Sequence, residues 1–258
     1  MNDYLIKLAR NDNEKRLIAR LDELVQKALH GSCGQSDFMD LRQQELAQAV
    51  AVNEPTIEWH LDGGYEQAER KRLVVFPHWE AEADARIAFL RIIHKDFKEQ
   101  SIAHRDYLGA VLNLGLKREK LGDIVVQNTT AFLIADVGIA DFVCQQLTRV
   151  KYSTVMAKII SSGDFIFQSP ELKVLQMSMA SLRLDVAIAA AFNLSRSDAD
   201  TYIEAGSARI NHMEVNKCSA SVTAGDLISV RGLGRFRLEE IGGLSRKGRH
   251  QVKISLWQ

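Results

Sequence analysis

Two arginines in the last third of the sequence stand where short helices are predicted to begin. Arg183 opens a segment with helical spacing of apolar residues, and Arg196 follows Ser195 at the start of the next such segment. Ser195 and Asp198 have the spacing of a capping box, which fixes a helix start. Because helix N-termini present N–H groups to anions, these positions are candidate contacts for a phosphate-bearing polymer.

Further cations follow on a predicted β-ribbon: Arg209, Lys217, Arg231, Arg235 and Arg237. The last three have the same parity, so we expect them on one face of a strand, with Phe236 and Leu238 on the other. RNA helices are recognised mainly by shape and backbone, because side chains cannot read their deep major groove. Cations on a rigid frame therefore favour an RNA-binding surface. The alternative is an ordinary solvated sheet face.

The middle of the sequence offers a second candidate set, at the start of a predicted helix and in the basic loop after it: His104, Arg105, Lys117, Arg118 and Lys120. We expect the loop to add phosphate contacts. His104 has an alternative role, since it can cap or pack the helix instead of touching RNA. Two modest surfaces in one chain gain avidity if their geometry matches one RNA.

The formal net charge is zero, but this value hides an uneven distribution. Residues 1–69 carry 7 Lys and Arg against 13 Asp and Glu, residues 70–181 carry 15 against 12, and residues 182–258 carry 11 against 8. The N-terminal region is acidic and the rest of the chain is basic, which indicates a polyanionic partner for the basic part. Solvated surface charge is the alternative.

Hydrophobic spacing predicts the elements that position these residues. Residues 17–29 form a helix that Gly31 ends, and Ser36 caps a second helix. Strands are predicted at 56–61, 73–76, 87–93, 124–126 and 131–134, the last two joined at Asn128-Thr129, and helices at 104–114 and 137–147. The order is that of an α+β fold with helices covering one face of a small sheet.

Three regions are predicted along the chain. They are a helical N-terminal region at 1–68, a central small α/β sandwich-like domain at 69–181, and a C-terminal module of two short helices plus a β-ribbon at 182–258. Cys33, Cys144 and Cys218 form no Cys-x-x-Cys pair, so we expect no metal site. An odd cysteine count without a signal peptide fits the cytoplasm, and no apolar run is long enough to span a membrane.

No enzyme motif fits its context, so we expect neither catalytic residues nor a cofactor. His104-Arg105-Asp106 matches the start of a kinase catalytic loop, but position 111 is Val where that loop has Asn. Arg183-Leu184-Asp185 is similar to a pseudouridine synthase motif, yet the chain after it is too short for that catalytic domain. Gly232 and Gly234 lack the third glycine of a dinucleotide loop.

The C-terminal region resembles the S-four module, named after a small-subunit ribosomal protein. The matching runs are Leu182-Arg183-Leu184-Asp185, Ser195-Arg196-Ser197-Asp198-Ala199, Ile203-Glu204-Ala205-Gly206, Arg209-Ile210-Asn211, Val222-Thr223-Ala224-Gly225-Asp226 and Val230-Arg231-Gly232. The module usually has Gly after the hairpin Asn, where this chain has His212. The resemblance implies that this region binds RNA.

The middle region resembles the YlmH family of Firmicutes. The matching runs are Ala68-Glu69-Arg70-Lys71-Arg72, His104-Arg105-Asp106-Tyr107-Leu108-Gly109-Ala110-Val111-Leu112 and Gly115-Leu116-Lys117-Arg118-Glu119-Lys120-Leu121-Gly122-Asp123-Ile124. The resemblance implies a non-enzymatic RNA-binding protein of the large ribosomal subunit, acting on rRNA or tRNA in quality control of stalled peptidyl-tRNA, with a gene neighbourhood linked to cell division. Two alternatives stay open: an RNA-modifying enzyme that uses the module for delivery, and a cell-division adaptor whose acidic N-terminal region contacts proteins.

Overall fold

The computed structural model describes residues 3–80, 82–95, 102–127, 130–167, 172–211 and 213–257. The chain folds into two compact units, Met1–Gln168 and Ser169–Gln258. Helices and strands mix in both units, which confirms the α+β class. The predicted domain border at 68 lies inside the first unit, and the one at 181 lies inside the second. Asn128, Thr129 and His212, which belong to predicted turns, lie outside the described residues.

Helices open the first unit: α1 (Asp3–Leu8), α2 (Asp12–Leu29) and α3 (Leu41–Val52). The side chain of Asn11 caps α2 by accepting a hydrogen bond from the N–H of Glu14 at 2.9 Å. The helix ends just before Gly31, which has a left-handed φ of 89°. Leu21 and Val25 of α2 are buried against α3 and the sheet below it, so the predicted helix and its end are confirmed.

The start of α3 differs from the prediction. Asp40, not Ser36, caps the helix, since its carboxylate accepts the N–H of Gln43 at 2.9 Å. Ser36 lies too far ahead of the helix, because a capping side chain reaches only the second or third helical N–H. Its hydroxyl instead accepts the N–H of Leu73 at 2.9 Å and ties the segment before α3 to the neighbouring strand.

The N-terminal sheet consists of β1 (Gly34–Gln35), β2 (Ile57–Asp62) and β3 (Arg72–Pro77), in the order β1-β3-β2. β3 is buried along its whole length. Leu73 and Val75 face the helices, while Val74 and Phe76 face Ala85 on the other side. A continuous apolar strand is what burial on both faces requires, so the predicted buried strand at 73–76 is confirmed.

The rest of the first unit holds the elements β4 (Ile87–His94), α4 (His104–Leu112), β5 (Leu121–Gln127), β6 (Thr130–Asp136), α5 (Val137–Gln146), β7 (Arg149–Val150) and β8 (Ser153–Ile160). The strands form an antiparallel sheet in the order β5-β6-β4-β8-β7. Leu90 and Leu133 point to the face that α4 and α5 cover. Phe89 and Ile134 point to the other face, where Phe38 and Phe165 pack.

The second unit begins with β9 (Leu172–Met179), followed by α6 (Leu184–Phe192), α7 (Arg196–Glu204), β10 (Ala208–Ile210), β11 (Met213–Glu214), β12 (Leu227–Val230), β13 (Gly234–Leu244) and β14 (His250–Trp257). Its strands form the C-terminal sheet, in the order β11-β10-β12-β13-β14-β9. Both helices pack on one face of this sheet, on Phe236 and Leu238. β9 lies ahead of the predicted module yet pairs with β14 from Leu172 to Met179.

Candidate nucleic-acid interface

A single carboxylate holds the two arginines at the helix starts. Asp185, only 1% exposed, accepts hydrogen bonds from Nε and Nη2 of Arg183 at 3.0 and 2.9 Å. It also accepts the Nε of Arg196 at 2.8 Å. The two side chains are 38% and 57% exposed. One buried charge therefore fixes two guanidinium groups that reach solvent, and the pair keeps a net positive charge.

Backbone contacts explain why Asp185 lies at this point. The Asp185 N–H donates to the carbonyl of Cys218 at 3.2 Å, and the N–H of Leu184 donates to the carbonyl of Ala220 at 2.8 Å. The loop before β12 thus fixes the first turn of α6. Arg183 precedes that turn in extended conformation, with φ of −109°, which lets its side chain fold back onto the carboxylate.

The charges at this site stabilise one another. Burial raises the pKa of Asp185, but hydrogen bonds from Arg183 and Arg196 outweigh it, so the pKa lies below its ordinary value. The hydrogen bond to Asp185 raises the pKa of Arg183. The carboxylate is therefore ionised at neutral pH. We call Arg183, Arg196 and Asp185 together the arginine pair and its anchor.

Ser195 caps α7, as its spacing predicts. Its hydroxyl accepts the N–H of Asp198 at 3.1 Å and donates to a carboxylate oxygen of Asp198 at 2.6 Å. In a standard capping box the side chain of the third helical residue accepts from the backbone N–H of the capping residue. Here the carboxylate of Asp198 accepts from the hydroxyl of Ser195 instead. Because the hydroxyl is engaged in both directions, Ser195 acts by fixing the helix start that carries Arg196.

The predicted ribbon cations lie on a different side of the unit. Arg209 pairs with Ser229, Ser229 with Arg235, and Arg235 with Trp257 across four strands. Residues paired in this way point to the same face. Arg237 shares that face, because it alternates with buried Phe236. This outer face is opposite α6 and α7, so the predicted basic residues form two surfaces instead of one.

Two predicted contacts lie in connections. Arg231 belongs to the turn between β12 and β13, so its expected place on a strand beside Arg235 and Arg237 is wrong. The reason is Gly232 and Gly234, whose left-handed φ values of 92° and 126° make the reversal. Lys217 lies in the loop between β11 and β12. Both side chains are exposed.

A basic hairpin tip was not among the predicted contacts. Arg246 and Lys247 are exposed in the turn between β13 and β14. Arg249, at the end of that turn, donates from Nη2 to the carbonyl of Ser178 at 2.7 Å and so fixes the tip to β9. The run of three cations around Gly248 was the sequence feature that could have indicated it.

The basic loop after α4 is tied into the fold. Arg118 donates from Nη1 to the carbonyls of Leu121 and Gly122 at 2.8 and 3.0 Å, and burial lowers its pKa to about 10. Lys120 lies 2.6 Å from a carboxylate oxygen of Asp37. Lys117 is the exception, with a side chain that is 79% exposed. The structure thus leaves mainly Lys117 of this loop directed to solvent.

Arg105 lies instead beside a cleft of about 520 Å³ between α4 and the β7–β8 hairpin. Arg149 and Lys151 also line it, on a part of the chain where we predicted no contact. Lys151 has a left-handed φ of 54° and lies 3.5 Å from Asp106. The sequence hid this cleft because its cations are about 45 residues apart.

The start of α4 settles the alternative for His104. Ala103 occupies the capping position, and its N–H donates to the carboxylate of Asp106 at 2.9 Å. His104 is the first residue of the helix and is exposed, so it does not cap. It stays a candidate contact at the margin of the same helix that lines the cleft.

One buried network has the residue types of a nucleophile and a base. The ring of His94 lies 2.6 Å from the hydroxyl of Tyr107 and 2.8 Å from that of Ser153. Burial raises the pKa of Tyr107 to about 12 and lowers that of His94. Tyr107 and Ser153 are 2% and 3% exposed. The network is enclosed by the core and joins α4 to β4 and β8.

Membrane-spanning helices and metal sites can be assessed for the residues that the structure describes. Among them, no helix combines the length and the apolar character that a membrane crossing needs. Nor do those residues bring together His, Cys, Asp and Glu side chains in a group suited to a metal ion.

The helices and sheets of the two units define an α+β protein. Comparison with known proteins agrees. A family model described as "Putative RNA-binding domain in YlmH" matches residues 81–164. The chain is 34% identical over 219 residues to "Ribosome-associated protein quality control protein P2" of Bacillus subtilis strain 168, with 84% of each chain covered. It belongs to the YlmH family.

The fold of a solved structure is also similar. The cell division protein YlmH from Streptococcus pneumoniae superposes with a TM-score of 0.51. The match covers 62% of this chain and 98% of that chain, at 16% sequence identity. This likeness concerns the fold.

Proposed function

We propose that this protein binds structured RNA on the large ribosomal subunit, rRNA or tRNA, and acts in translation quality control in the cytoplasm. The arginine pair and its anchor carry the proposal. A phosphate that meets both Arg183 and Arg196 receives charge-assisted hydrogen bonds from groups that Asp185 already holds in place. Little side-chain entropy is then lost on binding. The Bacillus relative, whose name describes ribosome-associated quality control, supports the cellular setting.

The cleft beside Arg105 supplies a second contact in this proposal. Arg105, Arg149 and Lys151 surround it, and Asp106 neutralises part of the charge. It lies within the segment that the RNA-binding family model matches. It suits a phosphodiester better than the 117–120 loop does, because Arg118 donates to carbonyls of its own fold and Lys120 pairs with Asp37.

The proposed role is non-enzymatic. The side chains of Ser153 and Tyr107 are 3% and 2% exposed and both bond to the ring of His94, which supports a structural role for these hydroxyls. An RNA-modifying enzyme that transfers a group would bind a donor of that group. Isothermal calorimetry with ATP and with S-adenosylmethionine tests this directly, and tight binding of either compound would contradict the non-enzymatic role.

Sedimentation with purified ribosomal subunits tests the main proposal. We expect the protein to sediment with the large subunit at low salt and to be released as salt rises. If about four to six phosphates are neutralised, the log–log slope of affinity against salt is roughly −3 to −5. Lys7→Ala removes an exposed cation from α1 and serves as the control. A flat salt response would contradict the proposal, and capture of division proteins after RNase treatment would favour the adaptor alternative.

A further inference from the structure

The outer face of the C-terminal sheet combines aromatic, apolar and basic side chains. The guanidinium carbon of Arg235 lies 5.0 Å from the ring centroid of Trp257, in a cation–π stack. Leu172, paired with Trp257 on β9, is 45% exposed, and Val174 on the same strand is 54% exposed. Within the second unit, these exposed apolar residues and the stacked arginine lie on the sheet face opposite α6 and α7.

The same face is basic at its margins. Arg209 lies in the row of Arg235, and Arg237 lies in the next row, opposite Ser255. Lys253 follows on β14 and is exposed, with the acidic Glu240 opposite it on β13. We call the stack, the apolar pair Leu172 and Val174, and these three cations the outer-face platform. Its arrangement puts planar groups in the middle and phosphate-binding groups at the sides.

This chemistry matches an unpaired nucleotide. A flat base stacks on aromatic rings and on planar guanidinium groups, and the backbone that carries it is an anion beside each base. A duplex offers the phosphates but keeps its bases inside. A protein partner would gain little from a row of arginines unless it were strongly acidic.

We propose that the outer-face platform binds unpaired RNA bases, with one base stacking on Arg235 and Trp257 and the neighbouring phosphates meeting Arg209, Arg237 and Lys253. The proposal rests on the proposed RNA-binding function and deepens it. It gives the second unit two distinct tasks. The arginine pair and its anchor meet the backbone of folded RNA, and the platform recognises single-stranded segments.

A tryptophan reporter tests the platform in the full-length chain. The sequence has three tryptophans, so Trp59→Phe with Trp79→Phe leaves Trp257 as the only indole. We expect an unstructured RNA oligonucleotide to change the Trp257 emission in a saturable way. A duplex of the same length should bind, as measured by anisotropy of a labelled RNA, with little change in that emission.

Substitutions give the second readout. We expect Trp257→Ala and Arg235→Ala each to weaken single-strand binding about ten-fold, the effect of losing one stacked base, while duplex binding changes much less. Trp257→Phe should restore most of the loss, because it keeps an aromatic face. Arg231→Ala removes the same charge from a nearby turn and should weaken both RNAs equally.

The outcomes separate the two proposals. If no RNA binds, the proposed function fails. If RNA binds normally but the Trp257 emission stays constant and Trp257→Ala weakens both RNAs alike, only the platform proposal fails. A Trp257 emission that changes with protein concentration and not with RNA would assign the face to a second copy of the chain and would also overturn the platform.

Discussion

Two basic stretches that look alike in sequence have opposite roles in the structure. In the first unit, Arg118 turns inward and binds carbonyls of its own fold, and burial lowers its pKa to about 10. In the second unit, Arg183 and Arg196 are held by an aspartate yet reach solvent. The difference lies in the position of the anchor. The carbonyls that Arg118 binds lie inside the first unit, so its side chain points inward. Asp185 is buried below Arg183 and Arg196, so it holds their side chains at the surface.

The largest effect is expected when an inward cation is removed. Arg118→Ala removes the hydrogen bonds to the carbonyls of Gly122 and of Leu121, which still accepts from Nε of Arg70 at 2.9 Å, and hydrogen bonds to a charged group contribute about 1.5–3 kcal/mol each. We expect the free energy of unfolding of the first unit to fall by about 2–3 kcal/mol, with RNA affinity nearly unchanged, as urea titration and filter binding would show. A large loss of RNA affinity in a folded variant would contradict the comparison.

Removal of the arginine pair should have the opposite pattern, with a loss of RNA affinity and little change in stability. Arg183→Ala with Arg196→Ala should weaken binding to ribosomal RNA about 25-fold, at about 1 kcal/mol for each lost phosphate contact. Circular dichroism checks that the variant is folded, and Lys7→Ala is the control for charge. Equal losses in the pair variant and in Lys7→Ala would remove the arginine pair from the interface.

The anchor predicts a pH dependence. The folded-state pKa of Asp185 is lowered, so its stabilisation is present above the unfolded pKa of about 3.9 and is lost as the pH falls through the folded value. We expect part of the unfolding free energy of the second unit to disappear as the pH falls below about 4. Asp185→Asn should remove this part of the acid dependence, and identical acid profiles would argue against the anchor.

The smallest effect is expected at Lys117. Its side chain is 79% exposed and lies 3.9 Å from Glu119, and exposed pairs contribute less than about 0.5 kcal/mol. Lys117→Ala should therefore leave the thermal midpoint within error of wild type. It is the matched control for Arg118→Ala, because the two cations are neighbours in one loop. A loss of stability equal to that of Arg118→Ala would show that the loop acts as a whole.

Local patterns made much of the fold predictable. The apolar spacing of α2 and the uninterrupted apolar run of β3 each reflect one dominant contact, a helix face in the first case and two buried faces in the second. The cap at Ser195 depends only on residues within one helical turn. Each of these features depends on residues close together in the sequence, so it can be predicted without knowing how the rest of the chain folds.

The partners of the cations could not be predicted in the same way. Arg196 lies four residues before Asp200 on its own helix, yet it binds Asp185 from the preceding helix. Arg105 and Lys151 meet beside one cleft only because the central sheet brings β7 and β8 against α4. Tertiary structure decides whether a cation is free, and a count of charges along the chain does not contain that information.

β9 has a consequence for how the second unit behaves as an isolated fragment. It pairs with β14 over eight residues, from Leu172 to Met179, and is itself the edge strand on that side of the C-terminal sheet. A fragment that starts at residue 182 would leave the donors and acceptors of β14 open along that edge. Open edges of this kind pair with other chains and lead to aggregation. The segment that precedes the module therefore keeps the backbone of β14 paired within its own sheet.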